Sequence, residues 1–510
     1  MSCKTSAVDH VRSNTANVKQ NYIANISDFQ YHAEIFRISC SLMDEFDFVV
    51  IGSGPGGYVA AIRAAQHGHT VAIVEREANL GGVCLNWGCI PTKSLLKSAE
   101  LYKKLQTADQ FGIITAGKIQ VDLEKVVAHS RAAVKKLNYG VASLMKKYGI
   151  TVITGTATLM GTSKIQVAGT RNVVTTIAAQ HIILATGSKP RLLPELDANL
   201  VWTAKDAMVP QELPKSLLIV GSGAIGIEFA SFYSTLGSKV TIVEMRDRIL
   251  PLEDHDISDA MCKTLRAHGV DIMLNSSVKK LRKHSSGIVA EVNGSTGDVV
   301  CDKVICAIGV VPNSADLGLN NTKAQLDSRG FIITDEHCAT AEPGLYAIGD
   351  VAGPPCLAHK ASHEAIICVE SIAAREGKFS GHVAKLNKIN IPSCIYSIPQ
   401  VASIGFTELQ AKEQGLDYQV GISRAYSNGK AIVSGSDNGF VKVIISPATG
   451  ELLGAHMLGD EVTEMINGFI VGRQLEATDV DFAHTIFPHP TVSEMMHSAI
   501  LSAWDQPLDC

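Results

Sequence analysis

One pattern occurs twice in this chain, and each copy is a complete unit of local structure. Phe46-Asp-Phe-Val-Val-Ile51 is a short apolar run of the buried-strand kind, followed by Gly52-x-Gly54-x-x-Gly57 and an Ala-rich helical stretch, Tyr58 to His67. A second apolar run, Thr70 to Val74, then ends in Glu75. The plan recurs from Ser216 to Val220, through Gly221-x-Gly223-x-x-Gly226 and a helix, to the run Lys239 to Val243 and Glu244, the three glycines and the acid each displaced by 169 positions. In such a unit the first glycine makes a tight turn and the second lets backbone N–H groups approach a pyrophosphate. The third lets helix and strand pack closely. The acid at the end of the second strand hydrogen-bonds a ribose hydroxyl, the place for Glu75 and Glu244. Two such units predict an α/β chain with two dinucleotide sites. At Glu244 a carboxylate repels a 2′-phosphate and favours NAD over NADP, although Arg246 and Arg248 follow closely.

A second motif lies just beyond the first unit. Gly82-Val-Cys84-Leu-Asn-Trp-Gly88-Cys89 places two cysteines five apart, with Pro91-Thr92-Lys93 opening a helix behind them. Closing a loop of about six residues is worth only roughly 2 kcal/mol of unfolded-chain entropy, which is trivial beside a large core. A helix N-terminus beside Cys89 favours its thiolate. The pair therefore reads as a redox dithiol that opens and closes in turnover. Two dinucleotide sites and a dithiol make an electron relay, with a flavin as middle carrier because it exchanges with both nicotinamide and disulfides.

Composition narrows the setting. A chain of 510 residues, 46% hydrophobic, is long enough for several domains. Its formal net charge of -5 argues against nucleic acid as a partner. The absence of any run of about 18 apolar residues argues against a membrane span. Twelve cysteines scattered without the density of a secreted disulfide scaffold suit a reducing compartment, hence a cytoplasmic location. No clustered Cys/His ligand pattern predicts a metal site. Residues 1–42 are polar and without periodicity, and read as a disordered or non-native extension. With acids at Asp9, Asp28 and Glu34 they make a poor organelle transit peptide.

Dithiol exchange needs a group that takes and returns a proton near neutral pH, which points to histidine. His484, His489 and His497 crowd the C-terminus; of these, His489 precedes Pro490 and lies five before Glu494, which could orient its ring. Thr491-Val-Ser-Glu494 also spells a capping box, and the residues alone serve both readings equally. His484 and His497 read as structural or surface histidines. Cys301 and Cys306 repeat the spacing of the dithiol within one strand-like run, Val299 to Ala307. An odd offset along a strand points them to opposite faces, so they read as packing residues.

With these motifs in place, the chain from Met43 to about Ala503 resembles the pyridine nucleotide–disulfide oxidoreductases. Within them it is most similar to the branch that reoxidises dihydrolipoamide. Gly56-Gly57-Tyr58-Val-Ala-Ala-Ile-Arg-Ala-Ala65, the Cys84/Cys89 motif and His489-Pro-Thr-Val-Ser-Glu494 carry the likeness. The resemblance implies FAD at the first unit, held by Gly52, Gly54, Gly57, Glu75, Lys93, Ala157, Thr186, Gly187, Ser188, Gly349, Asp350, Leu357, Ala358 and His359. It implies NAD at the second, held by Gly221, Gly223, Gly226, Glu228, Glu244, Val278 and Gly309, with Lys93 paired to Glu228. Asp350 could alternatively cap the helix that follows it. Ala157 and Val310 stand where relatives often carry glycine and arginine. The resemblance further implies catalysis by Cys84, Cys89, His489 and Glu494, and a homodimer whose partner completes the site. Lipoyl domains of a 2-oxo acid dehydrogenase or glycine cleavage complex would be the substrate carriers.

The expected architecture is α/β, with two Rossmann-like dinucleotide-binding domains and a C-terminal α+β dimerisation domain. The FAD domain covers 43–185 and resumes over 310–387, the NAD domain is inserted at 186–309, and the interface domain covers 388–510. An NADPH-dependent disulfide or mercuric reductase of the same family is the nearest alternative. A flavin-binding redox sensor without dithiol turnover is the alternative from another class, and it would not need Cys84, Cys89, His489 and Glu494 together.

Overall fold

The computed structural model describes residues 44–169, 173–285, 287–294 and 297–508, so the extension expected over 1–42 lies outside the described residues. Three sheets organise the chain. In the first, Asp44–Ile51 is central, with Val71–Glu75 and then Thr151–Thr154 parallel on one side and Val174–Leu184 parallel on the other. The last strand is shared lengthwise: its first half takes the antiparallel Lys164–Ala168, its second half the parallel Leu345–Ala347. The chain thus leaves this sheet after Leu184 and rejoins it at Leu345. Between those points lies a second sheet, all parallel, in the order Asp271–Met273, Lys239–Val243, Ser216–Val220, Lys303–Cys306, Val201–Trp202. Its strands are nearly continuous apolar runs because both faces are covered, one by the helices Ala224–Thr235 and His255–Ala267, the other by the antiparallel strands Ser277–His284, Gly287–Asn293 and Val299–Cys301.

The two crossings between these units are tied together. Ser188–Pro190 pairs antiparallel with Val310–Pro312, and Thr186 and Asn313 exchange hydrogen bonds through side chain and backbone at 2.9 Å each. The third sheet is antiparallel, in the order Ser393–Ile395, Gln400–Gly405, Leu452–Gly459, Phe440–Ile445, Gln419–Arg424. The helices Val462–Gln474 and Glu494–Ser502 pack on it through one apolar cluster that includes Ile466, Phe469, Met495 and Ile500. No described helix is long and apolar enough to cross a membrane.

Two local readings need correction. Val299–Cys301 and Lys303–Cys306 are separate strands in separate sheets, broken at Asp302, whose N–H bonds to Ser216. Cys301 and Cys306 are nonetheless both buried free thiols. The helix expected to open at Pro91 starts at Cys89, and Gly82–Trp87, to which the sequence reading gave no element, is a short helix of its own.

The third unit is locked to the second by a buried cation. Lys442, on Phe440–Ile445, is 1% exposed and its Nζ reaches Asp254 at 2.9 Å, Asp256 at 2.7 Å and Glu408 at 2.7 Å. Burial opposes the charge on Asp254, but His456, the Glu408 N–H and Lys442 together hold its carboxyl below the ordinary range. A lowered carboxyl contributes stability that is present above its unfolded pKa and lost as pH falls through the folded one. Lys442→Met should strand Asp254 as an unpaired buried charge and cost about 3–5 kcal/mol. Denaturant midpoints of the two proteins at neutral pH check this; equal midpoints would refute it.

Candidate active site

The dithiol is placed by glycines. Gly81 and Gly82 both take positive φ, 101° and 59°, to start the short helix that carries Cys84. A Cβ on Gly82 would lie 2.6 Å from the Cα of Gly54, so this helix rests directly on the first glycine-rich loop. Cys89 opens the Cys89–Gln106 helix and is, like Cys84, a free thiol. A hydrogen bond from Cys84 to Cys89 raises the first thiol, with burial adding to the effect. The same bond, with Lys93 assisting and burial opposing, lowers the second. Cys84 lines a cavity of about 620 Å³ with Tyr58, Ile90, Val141, His359 and Ser362. Cys89 does not line it. The two sulfurs are therefore inequivalent: one opens to a substrate-sized space and the other is held as the better anion.

Lys93 sits one helical turn after Cys89, on the same face. Its Nζ lies 2.8 and 3.0 Å from the two carboxylate oxygens of Glu228, a residue of the Ala224–Thr235 helix that opens the second glycine loop. Lys93 is thus no ordinary surface lysine. This ion pair ties the dithiol helix to the second nucleotide unit, beside apolar packing of Leu95 and Leu96 with Ile227 and Ala230 and Lys205 over the Trp87 ring. Behind the dithiol, Arg131 donates to the Asn86 carbonyl at 2.9 Å and stacks on Trp87.

The two nucleotide units agree to the atom. The Glu75 carboxylate accepts from Ser53 N at 2.9 Å and Ser53 Oγ at 2.6 Å, and Glu244 accepts from Ser222 N and Oγ at the same two distances. Each acid also takes an N–H two residues on, from Glu77 and Arg246. Both are buried, so neither is a solvated strand-end charge. Helices Pro55–Gln66 and Ala224–Thr235 begin at Gly54 and Gly223 with no side-chain cap, which leaves their first N–H groups free for an anion. A Cβ on Gly57 would meet the Gly52 oxygen at 1.9 Å, and one on Gly226 the Gly221 oxygen at 2.1 Å. Uncapped helix starts and glycine-only approaches fit a dinucleotide at each loop.

Most of the remaining expected flavin residues gather along the first unit. Ser188 donates to Asp350 at 2.6 Å, so Asp350 is held across the crossing and does not cap a helix; Ile348 occupies that cap position. Gly349, at φ 74°, is fixed by a buried pair absent from the sequence reading: Glu364 accepts its N–H, and Lys360 donates to its carbonyl and to that of Gly353. Leu357 precedes the Ala358–Arg375 helix, and His359 contacts the Pro392 carbonyl at 2.9 Å. Ala157 is buried on a strand beside Gly155, whose N–H bonds to the Glu75 carbonyl. In the second unit Val278 is buried and Gly309 takes φ 105°.

His489 stands apart from all of this. Its Nδ1 is 2.9 Å from Glu494 Oε1, while Glu494 Oε2 accepts the Thr491 N–H at 2.8 Å. The dyad and half of the capping box coexist on one carboxylate. Partial burial pushes the Glu494 carboxyl up, but the Thr491 N–H and then His489 bring it below its usual range. The His489 side chain is 79% exposed, and no described contact joins it to either cysteine. His497 bonds the Ala483 carbonyl, in a structural role.

Comparison with known proteins bears on the family of the chain. The family profile for pyridine nucleotide-disulphide oxidoreductases matches residues 46–365, and that for their dimerisation domain matches 391–500. A dihydrolipoyl dehydrogenase of Zymomonas mobilis is 47% identical over 472 residues, covering 92% of this chain and 100% of its own. One from Rhizobium etli is 47% identical with the same coverage. Among solved structures, a copper complex of the HOCl-induced flavoprotein disulfide reductase RclA from Escherichia coli superposes with a TM-score of 0.80. It is 28% identical and covers 90% of this chain and 99% of its own.

The duplicated loops generate a test. Gly226→Ala should push the Gly221 carbonyl aside and raise the KM for NADH about 100-fold, with flavin content unchanged. An unaltered KM would show that the second loop is not the nicotinamide-nucleotide site.

Proposed function

The chain belongs to the pyridine nucleotide–disulphide oxidoreductase family, whose members use FAD and NAD(H), and from that premise we propose that it oxidises dihydrolipoamide to lipoamide and reduces NAD⁺. The observation that carries the proposal is the inequivalence of the two sulfurs. Cys84 faces the cavity, and Cys89 is backed by Lys93 and Glu228 between the two nucleotide loops. The names of the relatives supply the substrate class.

In the oxidised enzyme Cys84 and Cys89 form a disulfide. One substrate thiolate attacks the Cys84 sulfur, the Cys84–Cys89 bond breaks, and Cys89 leaves as the thiolate that Lys93 stabilises. The second substrate thiol gives its proton to a base and displaces Cys84 from the mixed disulfide, releasing lipoamide. Bound FAD supplies the two-electron passage from the dithiol to NAD⁺, so that one substrate dithiol yields one NADH and one proton. Glu75 and Glu244 would each hold an adenosine ribose, with Ser53 and Ser222 keeping each carboxylate oriented. The buried Glu244 already serves three donors, which leaves a 2′-phosphate facing an anion, so NADH should be preferred over NADPH.

The base assigned here is the partner subunit's His489. Within one chain the dyad is exposed on the dimerisation domain, and a homodimer can bring it to the cavity of the other copy. Lipoyl domains of 2-oxo acid dehydrogenase or glycine cleavage complexes are the proposed carriers. A cytoplasmic setting, which keeps thiols reduced, suits the free cysteines.

Cys84→Ser should abolish lipoamide turnover while flavin stays bound, and retained turnover would refute the relay. His489→Gln should lower kcat about 10²–10⁴-fold. Hybrid dimers of these two inactive variants carry one intact site each, so activity should return on mixing. Hybrids that stay inactive would place the base elsewhere.

A further inference from the structure

The third unit reaches into the dithiol region of its own chain through one ring. Lys93 has an open side: its side chain is 32% exposed, against 6% for Glu228. The Tyr396 ring covers part of it, with its centroid 4.7 Å from Lys93 Nζ. The backbone N–H of Tyr396 also donates to Glu228 Oε1 at 2.9 Å. One residue of the dimerisation domain therefore touches both members of the ion pair.

The ring is held in place and not merely nearby. On one side Ser393 Oγ donates to Glu253 at 3.0 Å, and on the other the Ile398 N–H donates to Ser231 Oγ at 2.9 Å. Ser231 lies on the same helix as Glu228, one turn further along. Tyr396 itself packs against the apolar cluster that includes Leu95, Leu96 and Ile227. An aromatic face over an ammonium attracts it electrostatically, the more so where water is excluded.

We propose that Tyr396 is a positioning residue for the dithiol: its ring and its N–H fix the Lys93–Glu228 pair so that the ammonium stays directed at Cys89. This rests on the reading of Cys89 as the flavin-side thiolate given above. Within the chain the groups facing Cys89 are Cys84 and Lys93 from the dithiol helices, Glu228 from the second unit, Tyr58 from the first and Tyr396 from the third; in the dimer proposed above the partner subunit's His489 joins them and is the same in every variant compared. Cys394 and Glu464 also stand near the Tyr396 ring. Of these, Lys93 stabilises the Cys89 anion and Glu228 opposes it, so the balance depends on where the ammonium sits between them. Loss of the ring admits water to Lys93, weakens its hold on Cys89 and makes the thiol harder to ionise. The role belongs to the ring and not to the phenol hydroxyl.

The test is a pH titration of the two-electron-reduced holoenzyme, read by the long-wavelength absorption of a thiolate beside oxidised flavin. In Tyr396→Met, which fills similar space without an aromatic face, the midpoint should rise by about half a unit to one unit, a three- to tenfold change. Tyr396→Phe should keep the wild-type midpoint. A midpoint unmoved in a folded, flavin-replete Tyr396→Met protein would overturn the proposal, as would an equal shift in Tyr396→Phe. Should the Met variant fail to fold, pentafluorophenylalanine at 396 keeps the shape and removes the negative face; its midpoint must rise. A wild-type protein without the absorption at any pH would instead overturn the dithiol–flavin reading itself.

Discussion

The ion pair between Lys93 and Glu228 is the constraint on which the rest of the site depends. It joins the Cys89–Gln106 helix of the first unit, which begins at the dithiol, to the Ala224–Thr235 helix of the second, which begins at its glycine-rich loop. A partly buried pair of this kind adds little net stability, because desolvation offsets most of the attraction. Its value lies in registration. With the pair made, Cys89 and the Gly221–Gly226 loop have a defined separation, and whatever binds between them meets both.

The duplicated units show how strongly a local backbone requirement can preserve a pattern. The serine after the first glycine donates twice to the strand-end acid in both copies, at matching distances. That serine positions the acid before any ligand arrives, so less ordering remains to be done on binding. The third glycine in each copy is required by contact with the first, where a single added carbon would collide with a carbonyl. Identity of geometry with different partners downstream then separates the roles. The first copy abuts the dithiol through Gly54 and Gly82, and the second reaches it through the Glu228 helix and through Lys205 over Trp87.

What was legible in the chain follows from range. The glycine loops, the acids and the cysteine pair are short patterns whose chemistry depends on neighbours a few residues away, and they could be read directly. The helix at Gly82–Trp87 could not, because two glycines at its start look like a loop until the close approach to Gly54 explains them. The pairing of Lys93 with Glu228 spans 135 positions, and only the family likeness pointed to it. The Thr186–Asn313 clasp spans 127 positions and was invisible: Thr186 was expected at the flavin, and nothing in the sequence paired it with Asn313. Lys360 and Glu364 fell between: an i,i+4 pair within a helix is readable, but its bonds to Gly349 and Gly353 require the folded turn. The split at Asp302 was missed because both fragments are apolar and together look like one strand.

The position of His489 carries the argument from the chain to the assembly. A general base must come within hydrogen-bond reach of the proton it takes. Here the ring and its orienting carboxylate are ready-made, with Glu494 fixed by a backbone N–H, yet the ring faces outward and no described contact joins it to Cys84 or Cys89 of its own chain. A preorganised dyad at an exposed position is costly to keep unless something is brought to it. On the dimeric reading that something is the Cys84 cavity of the other copy, and proton transfer becomes a property of the dimer. The residues proposed for the electron path, in contrast, all belong to one chain, from Cys84 and Cys89 to the loop before Glu228. Dissociation would then stop turnover with lipoamide while leaving NADH able to reduce the flavin, and the contact of Tyr396 with Lys93 places the dimer-forming domain against both halves of that division.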